Sequence, residues 1–166
     1  MGKAIVLGDS VNTDQIISGE HVRKEDYEKF LFAKFRPEIS QLVREGRIAG
    51  CIIVAGRNFG SGSSRERAAI GLRRVGVEAV VAVSFNPIWE RNAINCGLRI
   101  YRFKPGETVK ISDGDNVVVD REEGKLRDTT SGTSFFFMET PELFSQIWKE
   151  GGLVGYTREK TLGRIR

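Results

Sequence analysis

Two spacings of apolar residues alternate along the chain. Short, mainly apolar runs, most of them rich in β-branched residues, recur at Lys3–Leu7, Cys51–Ala55, Glu78–Ser84 and Leu98–Phe103. Runs of this kind suit strands that a parallel sheet buries on both faces. Between them the apolar positions are spaced for helices. Tyr27–Phe35 is amphipathic and is predicted to end before Pro37, because the residue preceding a proline avoids the helical region. Pro37–Glu45 carries proline at its first position and Gly46 near its end, the usual asymmetry of helix termini. A third helix is predicted from Ser63 to Val75, stopped by Gly76. Asn86-Pro87 supplies a cap and a first-turn proline for a fourth, running to about Asn95 and stopping before Gly97. The β-loop-α-β-α-β order from Cys51 to Phe103 implies parallel strands with right-handed crossovers.

Beyond Pro105 the pattern changes. VKI, NVVVD and TSFFF are short runs punctuated by Gly114, Gly124 and Gly132, which predicts antiparallel hairpins. Pro141–Glu150 reads as a closing helix, and 156–166 as a mobile basic tail. The expected fold is α/β, with a largely parallel central sheet and antiparallel hairpins near the C-terminus, in a single domain over 1–166.

Composition narrows the function. Of 166 residues, 40% are hydrophobic and 29% charged, ordinary for a soluble globular protein. The net charge of +4 is spread among acids rather than gathered into a basic face, so nucleic acid is not an expected partner. The balance mildly favours small anionic substrates. No apolar run reaches membrane-spanning length and no signal-peptide pattern opens the chain. Cys51 and Cys96 form no C-x-x-C motif, and with the single His21 they do not suggest a metal site. The reducing cytoplasm is the expected compartment.

The most informative stretch is CIIVAGRNFGSGSSRERAAIGLRRV, Cys51–Val75. Gly56, Gly60 and Gly62 let the backbone turn sharply and approach a ligand closely. Ser63 with Glu66 fits a capping box. The helix start would then offer N–H groups and a dipole to an anion, and Arg65 a planar fork suited to a carboxylate. No Gly-Lys-Ser/Thr is present, and Arg65 occupies the place of the third glycine of a dinucleotide fingerprint. A plain capped helix and an anion site both remain open on these residues. Asp14, in Asn12-Thr13-Asp14, reads by itself as a loop residue making an Asx-turn.

GDSVNTDQII, GRNFGSGSSRE and RNAINCGL occur in an order and spacing that resembles the small subunits of the 3-isopropylmalate dehydratase family and the swivelling fourth domain of aconitase. The likeness runs from Gly8 to about Gly151. It implies a three-layer β/β/α swivelling domain. It also implies a heterodimer or heterotetramer with a large subunit, whose [4Fe-4S] cluster binds the hydroxy-acid substrate; no cofactor would be held by this chain. By the same resemblance Ser63 is the catalytic base, Asp14 an active-site aspartate, Ser64 and Arg65 carboxylate binders, and Gly62 part of the substrate loop. A serine is a poor base in water, but an alkoxide there would be stabilised by the helix start and Arg65.

The chain departs from the family pattern in places. Arg67 stands where histidine is usual, and Glu90 where an aromatic is common. The loop expected to choose the substrate reads His21-Val22-Arg23-Lys24. Val22 would suit an isopropyl group and Arg23 a third carboxylate; a solvated loop charge is the plainer account of Arg23. The expectation is 2-isopropylmalate isomerisation in leucine biosynthesis. A homoaconitase or citramalate-type subunit, or a non-catalytic module binding a small anion, are the alternatives.

Overall fold

In the computed structural model, which describes residues 1–165, four strands lie parallel. They are β1 (Gly2–Val6), β2 (Ile52–Ala55), β3 (Ala79–Ala82) and β4 (Ile100–Arg102). Register pairs Ala4 with Ile52, Ile52 with Ala79, and Val80 with Ile100. Every residue of β2 and β3 is buried, which is why these runs are continuously apolar rather than alternating. The far edge of β1 takes β5 (Asn116–Asp120) antiparallel, followed by β6 (Lys125–Asp128) and β7 (Ser134–Phe136). The order is β4-β3-β2-β1-β5-β6-β7.

An antiparallel bridge between Phe103 and Phe137, and Tyr101 stacked on Phe137 at 4.8 Å, bring the two edges of the sheet together. The sheet is therefore curled. Its parallel and antiparallel halves form the two β layers, and helices form the third. Val117, Leu126 and Phe135 add the inward face of the antiparallel half to the core.

The helices are α1 (Thr13–Ile16), α2 (Pro37–Arg44), α3 (Glu66–Arg74), α4 (Pro87–Cys96), α5 (Glu142–Lys149) and α6 (Leu153–Thr161). The ends of α4 follow the sequence closely. Asn86 accepts from the Ile88 amide at 3.1 Å, and Gly97 closes the helix at φ 82°. Trp89 of α4 anchors the core against Phe59 and Phe85, with ring centroids 4.8 and 5.6 Å away. None of these helices is long and apolar enough to cross a membrane, among the described residues.

Five sequence expectations are corrected. The predicted helix Tyr27–Phe35 is only one 3-10 turn, Tyr27–Phe30. Leu31 and Phe32 are both fully buried, and the Phe32 amide donates to the Ile16 carbonyl at 2.8 Å. Phe32 takes φ 60° to do so, a conformation bulky residues adopt only under tertiary constraint. The VKI run, 109–111, is not a strand, because β5 already occupies the edge of β1. Lys125–Asp128 is the middle strand of the antiparallel half instead. Asn12–Gln15 forms a reciprocal capping box and starts a short helix where a loop was expected. The expected Ser63–Glu66 capping box does not form: α3 begins at Glu66, and Arg65 is its N-cap without a side-chain bond. Finally, much of the stretch read as a tail is helical, to Thr161, with Tyr156 buried; Arg166 lies outside the described residues.

Candidate active site

Loops leaving the C-terminal ends of β1, β2 and β3 converge at one edge of the sheet, where open α/β sheets place ligands. Backbone bonds lace the loops together. Ser10 N–H donates to the Arg57 carbonyl at 2.7 Å, Gly60 N–H to Val11 at 2.8 Å, and Thr13 N–H to Ser61 at 2.8 Å. The Asp9 carboxylate accepts from the Arg57 amide at 2.7 Å. On the other side Phe59 N–H reaches the Ser84 carbonyl at 3.0 Å and Asn86 N–H the Phe59 carbonyl at 2.8 Å. Gly60 has φ 81°, and a Cβ there would lie 2.2 Å from the Trp89 ring. No side chain fits at this position, so the loop sits directly on the core.

This lacing brings the start of α1 beside the glycine loop. Asn12 caps α1, so Thr13 is held in its first turn and is almost wholly buried. The Thr13 hydroxyl lies 3.1 Å from the Ser63 hydroxyl and 3.2 Å from the Ser63 carbonyl oxygen. Gly62, at φ 92°, turns the chain next to Thr13. Asp14, one residue on, forms an ion pair with Arg65. The Arg65 side chain is 25% exposed and that of Asp14 58% exposed. The other face of the Arg65 fork is bounded by Gly19, whose Cβ, if it had one, would lie 3.4 Å from Nη2.

The structure therefore ties Ser63 to Thr13 and Arg65 to the neighbouring Asp14, with Gly62 turning beside Thr13 and Ser64 adjacent in the chain and exposed. The Ser63 side chain turns back to Thr13 instead of capping α3. Thr13 was not anticipated; the Asn12-x-x-Gln15 pattern is the signal that would have placed it in a fixed helical turn. Val22 is partly buried against the core, whereas Arg23 is exposed and makes no ion pair among the described residues. Gly19 leads into the Glu20–Asp26 loop, so that loop leaves the immediate neighbourhood of Arg65. His21 is a loop residue, stacked on Phe30 at 4.3 Å and joined to the Ser18 hydroxyl at 2.9 Å.

The site lies at the surface: Asp14, Ser63 and Ser64 are exposed. A cleft of about 670 Å³ lies elsewhere, between α4, β4 and α5, and is lined by Phe85, Ile94, Tyr101, Leu143 and Ile147. Two of its charged groups, Glu90 and Arg102, are paired with each other. Among the described residues no three His, Cys, Asp or Glu side chains gather to hold a metal. Cys51 is buried and free, and burial pushes its thiol pKa up.

Residues 12–105 match the aconitase C-terminal domain family. The chain belongs to that family. The match contains Asn12–Asp14, the glycine loop, Ser63–Arg65 and α4. Among curated relatives of this family member, the small subunit 1 of 3-isopropylmalate dehydratase from Archaeoglobus fulgidus is 41% identical over 95% of this chain and 96% of its own length. A methanogen homoaconitase small subunit from Methanothermobacter thermautotrophicus is 39% identical over 93% of this chain and 88% of its own. The crystal structure of 3-isopropylmalate dehydratase from Methanocaldococcus jannaschii superposes with a TM-score of 0.87 at 36% identity, covering 98% of this chain and 95% of that one.

Proposed function

We propose that this chain is the small subunit of a two-subunit hydro-lyase that isomerises 2-isopropylmalate to 3-isopropylmalate, by dehydration and rehydration, in leucine biosynthesis. The observation that carries this reading is the pairing, on an uncovered surface, of a Ser63 hydroxyl held by Thr13 with an Arg65 fork held by Asp14. An open site of this kind needs a second body to exclude water. A large subunit, as the relatives' names imply, would supply it.

The geometry supports a role for each residue. The substrate carboxylate docks on Arg65, whose planar fork matches it in two parallel hydrogen bonds, and on the Ser64 hydroxyl. Asp14 holds the guanidinium in place from its other side. Ser63 acts as the alkoxide, its own hydroxyl proton having passed to solvent before the partner closes over the site. The alkoxide oxygen takes the proton from the carbon next to that carboxylate, becoming a hydroxyl again, and gives a proton back during rehydration. In the resting arrangement the Thr13 hydroxyl can donate to the Ser63 carbonyl while accepting from the Ser63 hydroxyl. Once Ser63 is deprotonated, the Thr13 proton turns to the alkoxide and stabilises it. A [4Fe-4S] cluster in the partner would supply the Lewis acid for the leaving hydroxyl, since this chain offers no metal site among the described residues.

The test is reconstitution. The full chain alone should show no turnover of 2-isopropylmalate, and anaerobic addition of an iron–sulfur large subunit should restore it. Robust turnover by the chain alone would overturn the reading. So would tight binding of a dicarboxylate by the chain alone with no gain of activity on adding the partner, which is the signature of a binding module. A tricarboxylate substrate is the second reading, favoured by the exposed Arg23, in the loop that follows Gly19 at the edge of Arg65, and by the homoaconitase relative.

A further inference from the structure

We propose that Arg67 is a positioning residue for substrate selection: it clamps the Glu20–Asp26 loop by its main chain, so that Arg23 is the side chain the loop presents. The inference rests on the reading that this loop meets the variable substituent of the substrate.

Arg67 lies in the first turn of α3, two residues after Arg65. Its guanidinium Nη1 donates to the Val22 carbonyl oxygen and reaches the Lys24 carbonyl oxygen at 3.5 Å. The guanidinium also lies 5.0 Å from the centre of the Tyr27 ring. Among the described residues Arg67 has no acidic partner within ion-pair distance. Its donors serve the backbone of this loop rather than a carboxylate.

The rest of the loop is held as well. Val22 N–H donates to the Ser18 carbonyl at 3.0 Å and Lys24 N–H to the His21 carbonyl at 3.0 Å. His21 stacks on Phe30, and the Lys24 ammonium lies 4.1 Å from the centre of the same ring. His21, Val22 and Lys24 are thus committed to the body of the protein, and Arg23 is left without a partner. Two clamped carbonyls, at 22 and 24, bracket Arg23 and fix the direction in which it leaves the chain. Because Arg65 and Arg67 share one helical turn, the group that binds the common carboxylate and the group that aims the selector move as a unit. Both carbonyls are reached by the one Nη1, so a lysine ammonium keeps the charge but not the planar group lying over Tyr27, and glutamine is shorter and uncharged.

The experiment uses the reconstituted two-subunit enzyme with Arg67→Gln, Arg67→Lys and Arg23→Ala, assayed on 2-isopropylmalate and on homoaconitate. Amide hydrogen exchange of residues 20–26 is followed in the full chain. With Arg67→Gln, exchange in the loop should accelerate about tenfold, the scale of losing one charge-assisted hydrogen bond. The KM for homoaconitate should rise about tenfold relative to that for 2-isopropylmalate, with kcat little changed, as expected when binding rather than chemistry is lost. Arg67→Lys should fall between Arg67→Gln and the parent. Unchanged exchange, or an unchanged KM ratio, overturns the proposal, as does an equal loss of kcat on both substrates. If Arg23→Ala moves the ratio and Arg67→Gln does not, only the role of Arg67 fails. If neither moves it, the loop itself is not the selector.

Discussion

Thr13→Val separates folding from chemistry at this site. Valine keeps the shape of threonine and removes the hydroxyl, and Thr13 is 1% exposed, so the substitution is made inside a packed environment. Two interactions disappear, to the Ser63 hydroxyl at 3.1 Å and the Ser63 carbonyl at 3.2 Å. The Thr13 amide bond to Ser61 at 2.8 Å remains, so the lacing of the loops survives. Ser63 is exposed and its orphaned groups can turn to water. The net cost in stability should therefore be about 1 kcal/mol or less, the usual worth of a hydrogen bond whose partner is rehydrated.

The cost in rate is of another order. A donor aimed at developing negative charge in a site closed from water contributes about 10²–10³ in kcat. Thr13→Val in the reconstituted enzyme should lose that factor in kcat while KM holds, and Thr13→Ser should recover most of it. Denaturant unfolding of the same proteins supplies the stability arm. A kcat within threefold of the parent, or an equal loss in Thr13→Ser, would refute the argument.

Arg65→Lys should raise KM for every substrate of the enzyme by about tenfold, because the charge persists but the bidentate fork is lost; an unchanged KM would remove Arg65 from the carboxylate site. Asp128, fully buried at the end of β6, should shape the acid limb of stability. Burial acts to raise its carboxyl pKa, but hydrogen bonds from the Ser131 hydroxyl at 2.5 Å and the Thr130 amide at 2.8 Å outweigh it, so the folded pKa is lowered. The resulting stabilisation is present above the unfolded value of about 3.9 and is lost as pH falls through the folded pKa. Asp128→Asn should cost about 1 kcal/mol at neutral pH and flatten that acid limb; equal acid sensitivity in parent and variant would show that other carboxylates govern it.

The parallel half of the fold was legible because burial on both faces leaves an unmistakable apolar run, as in IIVA of β2 and AVVA of β3. The ends of α4 were legible because Asn86, Pro87 and Gly97 each have one strong local preference. Expectations failed where tertiary contacts override local preference. Leu31 and Phe32 look helical by spacing, yet their joint burial forces Phe32 to a positive φ. Ser63 looks like a cap by spacing, yet the laced loops carry its hydroxyl to Thr13, 50 residues away in the chain. Arg67 and Glu90 were visible as departures from a pattern. Only the fold shows what they do: Arg67 clamps a loop, and Glu90 pairs with Arg102 of β4.

The central claim is that Ser63 carries the proton. The decisive measurement is kcat of Ser63→Ala in the reconstituted two-subunit enzyme, alongside its unfolding curve and substrate KM. Ser63 is exposed and does not cap α3, so unfolding should shift by no more than about 0.5 kcal/mol, the range of ordinary surface substitutions. KM should stay within a few-fold, because the proposed carboxylate anchor, Arg65, is untouched. The account predicts that kcat falls by about 10³-fold or more, the scale of losing a general base, with solvent deuterium no longer entering the substrate carbon. A Ser63→Ala enzyme that kept its kcat within tenfold of the parent, with deuterium exchange intact, would contradict it.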